Sequence, residues 1–380
     1  MWNRLILTAG SEQQKLIFGE QLVAIPTDVF CDSIEAVTDE SPGIRIGSGG
    51  ATLSIVRRAI QNFDEKTLEK QKTLLVHSGG LSQRMPHLSA YGKAFGMLPN
   101  AKSILETKLQ IYQKHLLERL PTSGGIMISA SDVIENMEEC EGFSADSDVD
   151  VLVFAHISSL EVGTQHGVFV MDSESGTLKR VLQKPSVEEM EREGAVRPDG
   201  KVLTDSCFFM TWQFCRRLTE NPILREPVTE ELCCYGDFMR PMGTDPKLDY
   251  IEKSASPQLS AYREALAKIF KEARVKISIL GENSFFHFGT YREFVEHLLP
   301  KSSFRTSFPR IFQSNVIHSA GFQKVPDSSF VEFSTGNQLK IGDNCILSGI
   351  EADANMRIPP NTVVFTMALE KGKFSEMEPT

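Results

Sequence analysis

Cysteine and tryptophan are scarce in this sequence, with 7 and 2 residues among 380. The cysteine count is odd, no Cys-x-x-Cys spacing occurs, and Cys233 and Cys234 are adjacent. Neither a disulfide framework nor a zinc site is therefore indicated. We expect the cysteines to be reduced and mostly structural.

Long apolar runs are also missing. Hydrophobic residues make up 41% of the chain and charged residues 24%, a composition typical of soluble globular proteins, and no run approaches the length that spans a bilayer. The apolar segment within residues 1–8 is too short for the core of a signal peptide. These features predict a cytoplasmic protein with no membrane partner.

Positive charge is in deficit. The formal net charge is −10 at pH 7, which argues against a nucleic-acid partner because nonspecific binding to nucleic acid needs a basic face. An anionic ligand must therefore be met locally, by a few cations and a metal ion.

Three common catalytic signatures are absent as well. The glycine pairs are not followed by the Lys-Ser/Thr of a Walker A loop, and neither Gly-x-Gly-x-x-Gly nor Gly-x-Ser-x-Gly occurs. No histidine or cysteine has a recognisable triad context. A covalent intermediate is therefore not indicated.

Apolar strand-like runs alternate with helical stretches along most of the chain. This rhythm is typical of an α/β sheet, and 380 residues exceed one ordinary core, so we expect an α/β domain with an appendage. The predicted strands are 5–9, 73–78, 125–130, 150–155, 167–172, 207–212, 275–280 and 285–288.

Capping boxes mark helix starts, because a Ser or Thr there precedes a Glu by three residues. The pairs are Ser103 with Glu106, Ser186 with Glu189, and Thr290 with Glu293. A further strong helix is predicted over 260–273. The acidic run 135–141, continuing toward Asp146 and Asp148, is interpreted as a solvated loop in preference to a metal site.

After about residue 310 the chain changes to short segments broken by Gly, Asn and Pro. Apolar residues recur there at spacings that suggest turns of a hexapeptide β-helix, with a small β-meander as the alternative. These residues are Ile341, Ile346, Ile358 and Val363. We therefore predict domains at 1–308 and 309–380.

One loop joins an apolar strand ending at His77 to two glycines and then to two cations. Without side chains, Gly79 and Gly80 let backbone N–H groups approach a polyphosphate, while Arg84 offers a planar fork and Lys93 a mobile point charge. The loop predicts a nucleotide cradle, and an ordinary turn is the alternative.

Charged residues also stand at the ends of other predicted elements. Asp132 follows the strand 125–130 at its carboxyl end, where open α/β sheets bind ligands, and a lone carboxylate there suits Mg²⁺. A helix N-cap is the alternative role for Asp132. Lys184 precedes a proline-led helix start, where an ammonium makes a phosphate site, and a plain surface lysine is the alternative.

Two further carboxylates and a glycine turn are weaker candidates. Asp205 and Asp237 stand beside apolar runs and are candidates for sugar hydroxyls or metal, with caps or turns as the alternatives. The glycine turn, expected to open a helix from Thr52, is a candidate for holding a base or a phosphate, with a structural loop as the alternative. Its glycines are Gly47, Gly49 and Gly50.

Taken in order, these motifs resemble those of the sugar-1-phosphate nucleotidylyltransferases. The stretches that carry the likeness are His77 to Pro86, Gly92-Lys93, Asp132, Gln183-Lys184-Pro185 and His287-Phe-Gly-Thr290. A narrower likeness, to members that use β-L-fucose 1-phosphate, is carried by residues 2–9, 45–52, 167–172 and 285–293. The resemblance implies a Rossmann-like nucleotidyltransferase domain followed by a left-handed β-helix.

The resemblance also implies roles for single residues. It assigns phosphate contacts to Gly79, Gly80, Arg84 and Lys93, the metal to Asp132, and the sugar phosphate to Lys184, Asp205, Gly289 and Thr290. Where many relatives carry Asp-x-Gly-Thr with a second metal-binding aspartate, this chain has His287-Phe-Gly-Thr. Asp237 or Asp205 is therefore expected to supply the second metal ligand.

By this resemblance, the chain transfers the guanylyl group of GTP to β-L-fucose 1-phosphate with Mg²⁺ as cofactor, giving GDP-L-fucose and pyrophosphate. One alternative is transfer to another sugar 1-phosphate, such as mannose 1-phosphate. A second is a noncatalytic regulatory or scaffold protein on the same fold. A homo-oligomer is left open.

Overall fold

The computed structural model describes residues 1–40, 43–80, 82–141, 148–322, 324–337, 339–352 and 356–367. The chain divides into two compact units. The first comprises Met1–Leu81, Gly92–Phe95 and Ile104–His287, and the second Ser82–Tyr91, Gly96–Ser103 and Phe288–Thr380.

The helices of the described residues are mostly short. They are α1 (Glu12–Leu22), α2 (Thr27–Phe30), α3 (Gly47–Asn62), α4 (Glu65–Leu68), α5 (Ile104–His115), α6 (Leu160–Gly163), α7 (Val187–Glu193), α8 (Trp212–Glu220), α9 (Asp249–Glu252), α10 (Pro257–Lys271), α11 (Tyr291–Leu298) and α12 (Ser303–Ser307). Within the described ranges, none of these helices combines the length and apolar character needed to cross a bilayer.

Most strands of the first unit are longer than those of the second. In the first unit they are β1 (Trp2–Ala9), β2 (Cys31–Thr38), β3 (Lys72–His77), β4 (Gly125–Ala130), β5 (Val133–Glu135), β6 (Cys140–Glu141), β7 (Val151–Ser158), β8 (Gly167–Met171), β9 (Leu178–Gln183), β10 (Val202–Thr211), β11 (Val275–Leu280) and β12 (Phe285–His287). In the second they are β13 (Val316–Ile317), β14 (Phe330–Glu332), β15 (Thr335–Gly336), β16 (Lys340–Ile341), β17 (Ile346–Ser348), β18 (Glu351–Ala352), β19 (Arg357–Ile358) and β20 (Val363–Phe365).

The first unit is built on one mixed sheet. Its order among the described residues is β2-β1-β3-β4-β10-β7-β11-β6, with β8 paired to β10 and β9 to β8. The pairs β1–β2, β1–β3, β3–β4 and β7–β11 are parallel, whereas β10 is antiparallel to both β4 and β7. The predicted α/β class is confirmed, and β4 and β11 have the predicted bounds 125–130 and 275–280.

Helices cover both faces of this sheet, which explains why its inner strands are continuous apolar runs. In β3, Leu75 belongs to a cluster with side chains of α3, α8 and α10, whereas Leu74 and Val76 belong to a cluster with side chains of α1 and α5. Successive side chains of one strand therefore pack into two different hydrophobic cores, one on each face of the sheet.

Some elements of the first unit differ from the prediction. β2 and α1 were not predicted, because β2 lies partly exposed at the sheet edge and α1 buries only Phe18 and Leu22. The acidic run 135–141 is not wholly a solvated loop, since Glu135 is buried within β5. Asp146 lies outside the described residues.

In the described part of the second unit there are three ladders of short parallel strands. They are β13-β14-β17-β20, β15-β18 and β16-β19. Phe330 pairs with Ile346 and Ile346 with Val363, offsets of 16 and 17 residues. The predicted repeat is therefore present as stacked strands, and its left-handed sense stays a prediction.

The apolar residues of these ladders face two sides. Ile341 pairs with Ile358 and Ile346 with Val363, but the buried cluster between the ladders uses Leu347 in β17 in place of Ile346. Ile346 lies on the other face of β17, because successive strand residues alternate. Ile346 lines a small cleft there together with Phe294 and Phe330.

The helices α11 and α12 belong to the second unit, where they are held by aromatic packing. The predicted boundary after residue 308 assigns both helices to the first domain. Phe288 contacts Phe294 and Phe304, and Phe294 in turn contacts Phe330 of β14. The capping box that opens α11 is confirmed, because Thr290 Oγ1 accepts the N–H of Glu293 at 3.2 Å. Ser186 caps α7 in the same way, also at 3.2 Å.

The segment that carries Arg84 belongs to the second unit and is anchored there by a buried polar cluster. His87 Nδ1 lies 2.6 Å from the Tyr291 hydroxyl, and His87 Nε2 lies 3.9 Å from Glu332 Oε1. Ser348 Oγ donates to the same carboxyl oxygen at 2.7 Å. Burial raises the pKa of Glu332 to about 7, and burial lowers the pKa of His87 to about 4.

Replacing Glu332→Gln is expected to change how stability depends on pH. Below its ordinary pKa of 4.5, Glu332 is protonated in both states, and as pH rises to about 7 the folded chain retains a proton that the unfolded chain releases, so wild-type stability falls over this window. The variant lacks this loss of stability. It keeps the contribution of His87, which has the opposite sign because the pKa of His87 is lowered in the folded chain, so that stability rises with pH. Its free energy of unfolding, relative to wild type, should therefore rise by up to about 3 kcal/mol from pH 4.5 to 7.

Urea unfolding at pH 5, 6, 7 and 8 measures this difference. Glu351→Gln is the control, because Glu351 is exposed on a neighbouring ladder. A difference between Glu332→Gln and wild type that is the same at every pH would show that Glu332 titrates as an ordinary glutamate.

Candidate active site

A carboxylate held by two basic side chains stands at the carboxyl end of β4. Lys93 Nζ donates to Asp132 Oδ2 at 2.8 Å, and His287 Nε2 lies 3.4 Å from the same oxygen. The three side chains are 11%, 18% and 25% exposed in the order Lys93, Asp132 and His287, so they remain open to a ligand. The structure thus brings together Lys93 and Asp132, which the sequence predicted separately.

The surroundings of Asp132 keep its carboxylate ionised. Burial alone raises the pKa of this group, but the hydrogen bond and charge of His287 and the ammonium of Lys93 outweigh burial. The pKa of Asp132 is therefore held well below its ordinary value. An ionised carboxylate at this edge can bind a cation.

Lys93 is aimed at Asp132 by the residue before it. Gly92 has φ +82°, a left-handed conformation that favours glycine, and a Cβ there would lie 2.6 Å from the ring of Phe18. The short 3₁₀ turn Lys93–Phe95 follows, and its Phe95 packs on Phe18 with ring centroids 5.4 Å apart. The close approach of Gly92 to α1 thus places Lys93.

A buried ion pair fixes the turn that carries Asp132 and, through β5, the strand β12 that carries His287. Lys108 of α5 donates to Glu135 Oε2 at 3.0 Å, and both side chains are 1% exposed. Lys108 also donates to the carbonyl of Ala130 at 2.9 Å, which secures the end of β4 beside Asp132. β5 then pairs with β12, so that His287 lies opposite Val133.

β12 presents a second side chain on the face that carries His287. Phe285 and His287 are two residues apart and half-buried, while Phe286 between them is buried on the other side. Phe285 stacks on His156 at 4.0 Å and meets His166 edge-on at 5.4 Å. Burial lowers the pKa of His156 to about 3, so this ring is neutral and acts as a flat partner for Phe285.

His166 connects this aromatic group to two predicted residues. His166 Nδ1 lies 3.5 Å from Asp205 Oδ1, which also accepts the N–H of Gly167 at 3.1 Å. The carbonyl of His166 accepts the N–H of Lys184 at 2.9 Å. Asp205 stands where the pairing of β10 with β7 shifts register, a common feature next to binding sites.

Lys184 has an unusual backbone. Its φ is +48° and its side chain is exposed, directly after β9 and two residues before the α7 N-cap Ser186. A lysine in the left-handed region costs about 1 kcal/mol, and such outliers cluster at functional sites. Lys184 therefore stays a candidate for binding a phosphate, together with His166 and Asp205.

The predicted glycine loop lies against the end of β1. Thr8 Oγ1 accepts the N–H groups of Ser78 and Gly79 at 3.1 and 3.3 Å. Gln14 Nε2 donates to the carbonyl of Gly80 at 3.2 Å. The loop is thus held at the carboxyl ends of β1 and β3, and its binding of nucleotide stays a prediction.

The other glycine turn has a packing role. The helix begins at Gly47 and not at Thr52. Glycine is required at position 47, because a Cβ there would lie 2.3 Å from the carbonyl oxygen of Leu232. Gly49 donates its N–H to that oxygen at 2.8 Å, and a Cβ on Gly50 would lie 2.7 Å from Ile46. These contacts support the structural alternative, and nucleotide binding by these glycines stays a prediction.

The remaining predicted residues are engaged or exposed. Asp237 accepts from Arg263 Nε at 2.8 Å and from the N–H of Cys233 at 2.7 Å, so both its oxygens have partners and a metal role stays a prediction. In the second unit, Thr290 uses its hydroxyl on Glu293, directly after Gly289. Arg84 is exposed there. The predicted roles of Gly289, Thr290 and Arg84 are not tested by their contacts.

His166 and Phe285 were missed as site residues. The sequence signal for Phe285 was its place two residues before His287 in a strand, which puts both on one face. His166 carried no local signal, because its neighbour Asp205 is 39 residues away and lies on another strand.

The residues present fit a magnesium ion in a limited way. Among the described residues, no group of three or more His, Cys, Asp or Glu side chains is placed to hold a metal. Asp132 offers an ionised carboxylate, and Mg²⁺ commonly uses one or two protein carboxylates with phosphate oxygens and water. A metal held mainly by its nucleotide therefore suits this edge better than a resident metal.

Comparison with known proteins identifies similar chains. The family model of the fucose pyrophosphorylase domain matches residues 65–377. A human fucose-1-phosphate guanylyltransferase is 28% identical, with 98% of this chain and 70% of the human protein covered. A mouse protein of the same name is 29% identical, with 91% and 68% covered. A bifunctional fucokinase/GDP-fucose pyrophosphorylase of Arabidopsis thaliana is 23% identical, with 78% of this chain and 32% of that protein covered.

Gly92→Ala is expected to destabilise the fold and to reduce activity, because the added methyl group meets Phe18 and displaces Lys93. Gly200→Ala is the matched control, since Gly200 has φ +76° and no neighbouring heavy atom within 4 Å of an added Cβ. Both variants lose about 1 kcal/mol to the left-handed conformation, and Gly92→Ala loses about 1–3 kcal/mol more to overpacking. Urea unfolding and turnover measure both effects. If the two variants lost the same free energy of unfolding and the same turnover, the contact between Gly92 and Phe18 would not be what positions Lys93.

Proposed function

The chain belongs to the fucose pyrophosphorylase family, and we propose from this premise that it transfers the guanylyl group of GTP to fucose 1-phosphate, forming GDP-fucose and pyrophosphate. The observation that carries the proposal is the family match over residues 65–377. The cation–carboxylate group at the carboxyl edge of the sheet supplies the chemistry that this reaction needs.

The reaction is an in-line displacement at phosphorus. A phosphate oxygen of the sugar 1-phosphate attacks the α-phosphorus of GTP, a new P–O bond forms, and the bond to the bridging oxygen breaks as pyrophosphate leaves. Such transfers depend on positioning and on stabilisation of charge, with little covalent work for the protein. Cations in fixed places are therefore the main requirement.

Lys93 is proposed to stabilise the departing pyrophosphate. Its ammonium is half-buried and paired with Asp132 alone among the described carboxylates, so it is positioned before a ligand arrives. Charge stabilisation by a fixed donor in a partly buried site is stronger than in water. The resemblance assigns Arg84 to the same anion, and this role is tested by its own substitution.

The group formed by Lys184, His166, Asp205 and Phe285 is proposed to bind the sugar phosphate. Lys184 offers an exposed ammonium for the phosphate, and Asp205 offers carboxylate oxygens for sugar hydroxyls. Phe285 provides an apolar surface for a deoxy sugar, whose methyl group makes one side of the ring apolar. Gly289 and Thr290 keep their predicted contacts with the sugar phosphate as part of this proposal.

Mg²⁺ is proposed as the cofactor, held by Asp132 and the triphosphate. When bound, it neutralises phosphate charge and orients the α-phosphorus. Asp132 keeps its carboxylate ionised for this task, and His287 Nε2 lies 3.4 Å from its Oδ2. The proposal also includes a Rossmann-like arrangement of the first unit, a left-handed β-helix in the second, and a cytoplasmic location.

Purified protein is expected to release pyrophosphate from GTP only when β-L-fucose 1-phosphate is present. A matrix of GTP, ATP, CTP and UTP against the 1-phosphates of fucose, mannose and glucose measures base and sugar preference. Mannose 1-phosphate as the best acceptor would replace the fucose assignment. Loss of pyrophosphate release in every combination would contradict the enzymatic function.

Lys93→Ala and Arg84→Ala should each lower kcat/KM by about 10²–10³-fold, the typical effect of removing one fixed charge donor from a transition state. Lys268→Ala is the control for loss of a lysine charge, because Lys268 is exposed on α10. Circular dichroism checks that each variant is folded. Wild-type kinetics in folded Lys93→Ala protein would exclude this lysine from the reaction.

Activity should vanish with a chelator and return with Mg²⁺, and Asp132→Asn should require a higher Mg²⁺ concentration for the same rate. The amide keeps the size of the side chain but lacks the charge that binds a hard cation. Titration of initial rate against Mg²⁺ gives the result. Undiminished turnover in metal-free buffer would contradict a metal role for Asp132.

A further inference from the structure

The backbone around Arg84 is held by a hydrogen bond and by burial. The N–H of Met85 donates to the carbonyl of Ser82 at 2.8 Å, which closes a turn that contains Arg84. Met85 is 1% exposed, and the 3₁₀ turn Pro86–Leu88 follows it directly. The guanidinium of Arg84, in contrast, is exposed and has no hydrogen bond or ion pair with any residue that the structure describes. A fixed turn therefore presents a cation that is available to a ligand.

A side-chain hydrogen bond ties this turn to α11. The Tyr291 hydroxyl lies 2.6 Å from His87 Nδ1, and the two rings stack with their centroids 5.1 Å apart. Within residues 82–90, His87 is the one side chain that hydrogen-bonds to another described residue. His87 is therefore the polar anchor of the segment that carries Arg84.

This anchor is mostly buried. The side chains of His87 and Glu332 are 8% and 6% exposed, and the ring of Phe365 lies 6.1 Å from that of His87. Burial lowers the pKa of His87 to about 4 and raises the pKa of Tyr291, so a neutral imidazole faces a phenol that keeps its proton. Loss of the Tyr291 hydroxyl would leave Nδ1 without this partner in a buried place, which costs more than loss of an exposed hydrogen bond.

We propose that His87 and Tyr291 are positioning residues for Arg84. The inference rests on the proposed function, in which Arg84 meets the departing pyrophosphate. A donor that is held in place before the reaction stabilises developing charge more than a mobile one, because it does not have to reorganise. Tyr291 also directly follows Gly289 and Thr290, which are proposed to contact the sugar phosphate. The same hydrogen bond then holds the two binding segments of the second unit in one arrangement.

Hydrogen exchange of the full chain without ligand measures whether this bond holds the Arg84 segment. Tyr291→Phe removes one hydroxyl and keeps the ring. Tyr250→Phe is the matched control, because the Tyr250 hydroxyl is buried and has no hydrogen-bond partner among the described residues. Backbone amides of residues 82–91 should exchange about fivefold faster in Tyr291→Phe than in wild type or the control. The same exchange rate in all three proteins would overturn the proposal.

Titration with inorganic pyrophosphate measures whether the bond acts through Arg84. In the chain that has Arg84, Tyr291→Phe and His87→Leu should each raise the Kd for pyrophosphate about tenfold, whereas in the Arg84→Ala chain neither should change it further. The same pattern is expected in kcat/KM for GTP. An equal effect of Tyr291→Phe in both chains, or no effect in either, would contradict a role that acts through Arg84.

His87→Asn separates the hydrogen bond from the shape of the ring. Its amide can pair with the Tyr291 hydroxyl from near the position of Nδ1, so this variant should recover most of the pyrophosphate affinity that His87→Leu loses. An affinity as low in His87→Asn as in His87→Leu would show that the bond does not position Arg84. Neither exchange nor pyrophosphate binding requires turnover. Variants with the expected pattern, in a chain whose wild type transfers no guanylyl group, would contradict the proposed function and support the positioning role.

Discussion

The buried ion pair between Lys108 and Glu135 is the constraint on which the candidate active site depends. Both side chains are almost fully buried, and breaking such a pair by removing one partner typically costs about 3–5 kcal/mol, because the other charge remains without compensation. Lys108 also binds the end of β4, and Glu135 lies in β5, which pairs with β12. The pair therefore holds α5, the turn at Asp132, and the strand that carries Phe285 and His287 in one arrangement. A hydrophobic pair of similar size would fill the space but would not fix the end of β4 through a carbonyl.

The exposed end of this arrangement is polar for a different reason. Lys93 and Asp132 are close enough to neutralise each other, and the pKa of Asp132 is held low by His287 and Lys93 against the effect of burial. In the proposed function, a triphosphate would meet an ammonium that is already oriented, beside a carboxylate that is ionised and able to bind a cation.

Much of the first unit was predictable because its inner strands are apolar on both faces and Asp132 follows one of them directly. The placement of the glycine loop directly after a strand was predictable from the local sequence, and the ligand roles of this loop, Lys93 and Lys184 stay predictions. His166, Phe285 and the burial of Glu135 were not, because each depends on which strands become neighbours, and pairing of β5 with β12 joins segments about 150 residues apart. The packing role of Gly47 was not predictable for the same reason, because its close contact is with Leu232, which is distant in the sequence. In the second unit, the repeat of short strands was predictable from the sequence, but the side of each strand that faces the buried cluster was not. In β17 this side carries Leu347, whereas its neighbour Ile346 faces the other way.

The two edges of the sheet share one support, because β1 makes contacts at both of them. β1 contacts the glycine loop through Thr8 at its carboxyl end and holds the N–H of Lys72 through Asn3 at its amino end. Between these ends, Leu5, Leu7 and Leu74 are fully buried in a packed core, so the strands transmit little displacement. The glycine loop and the amino end of β3 are therefore held in place by the same packed strand.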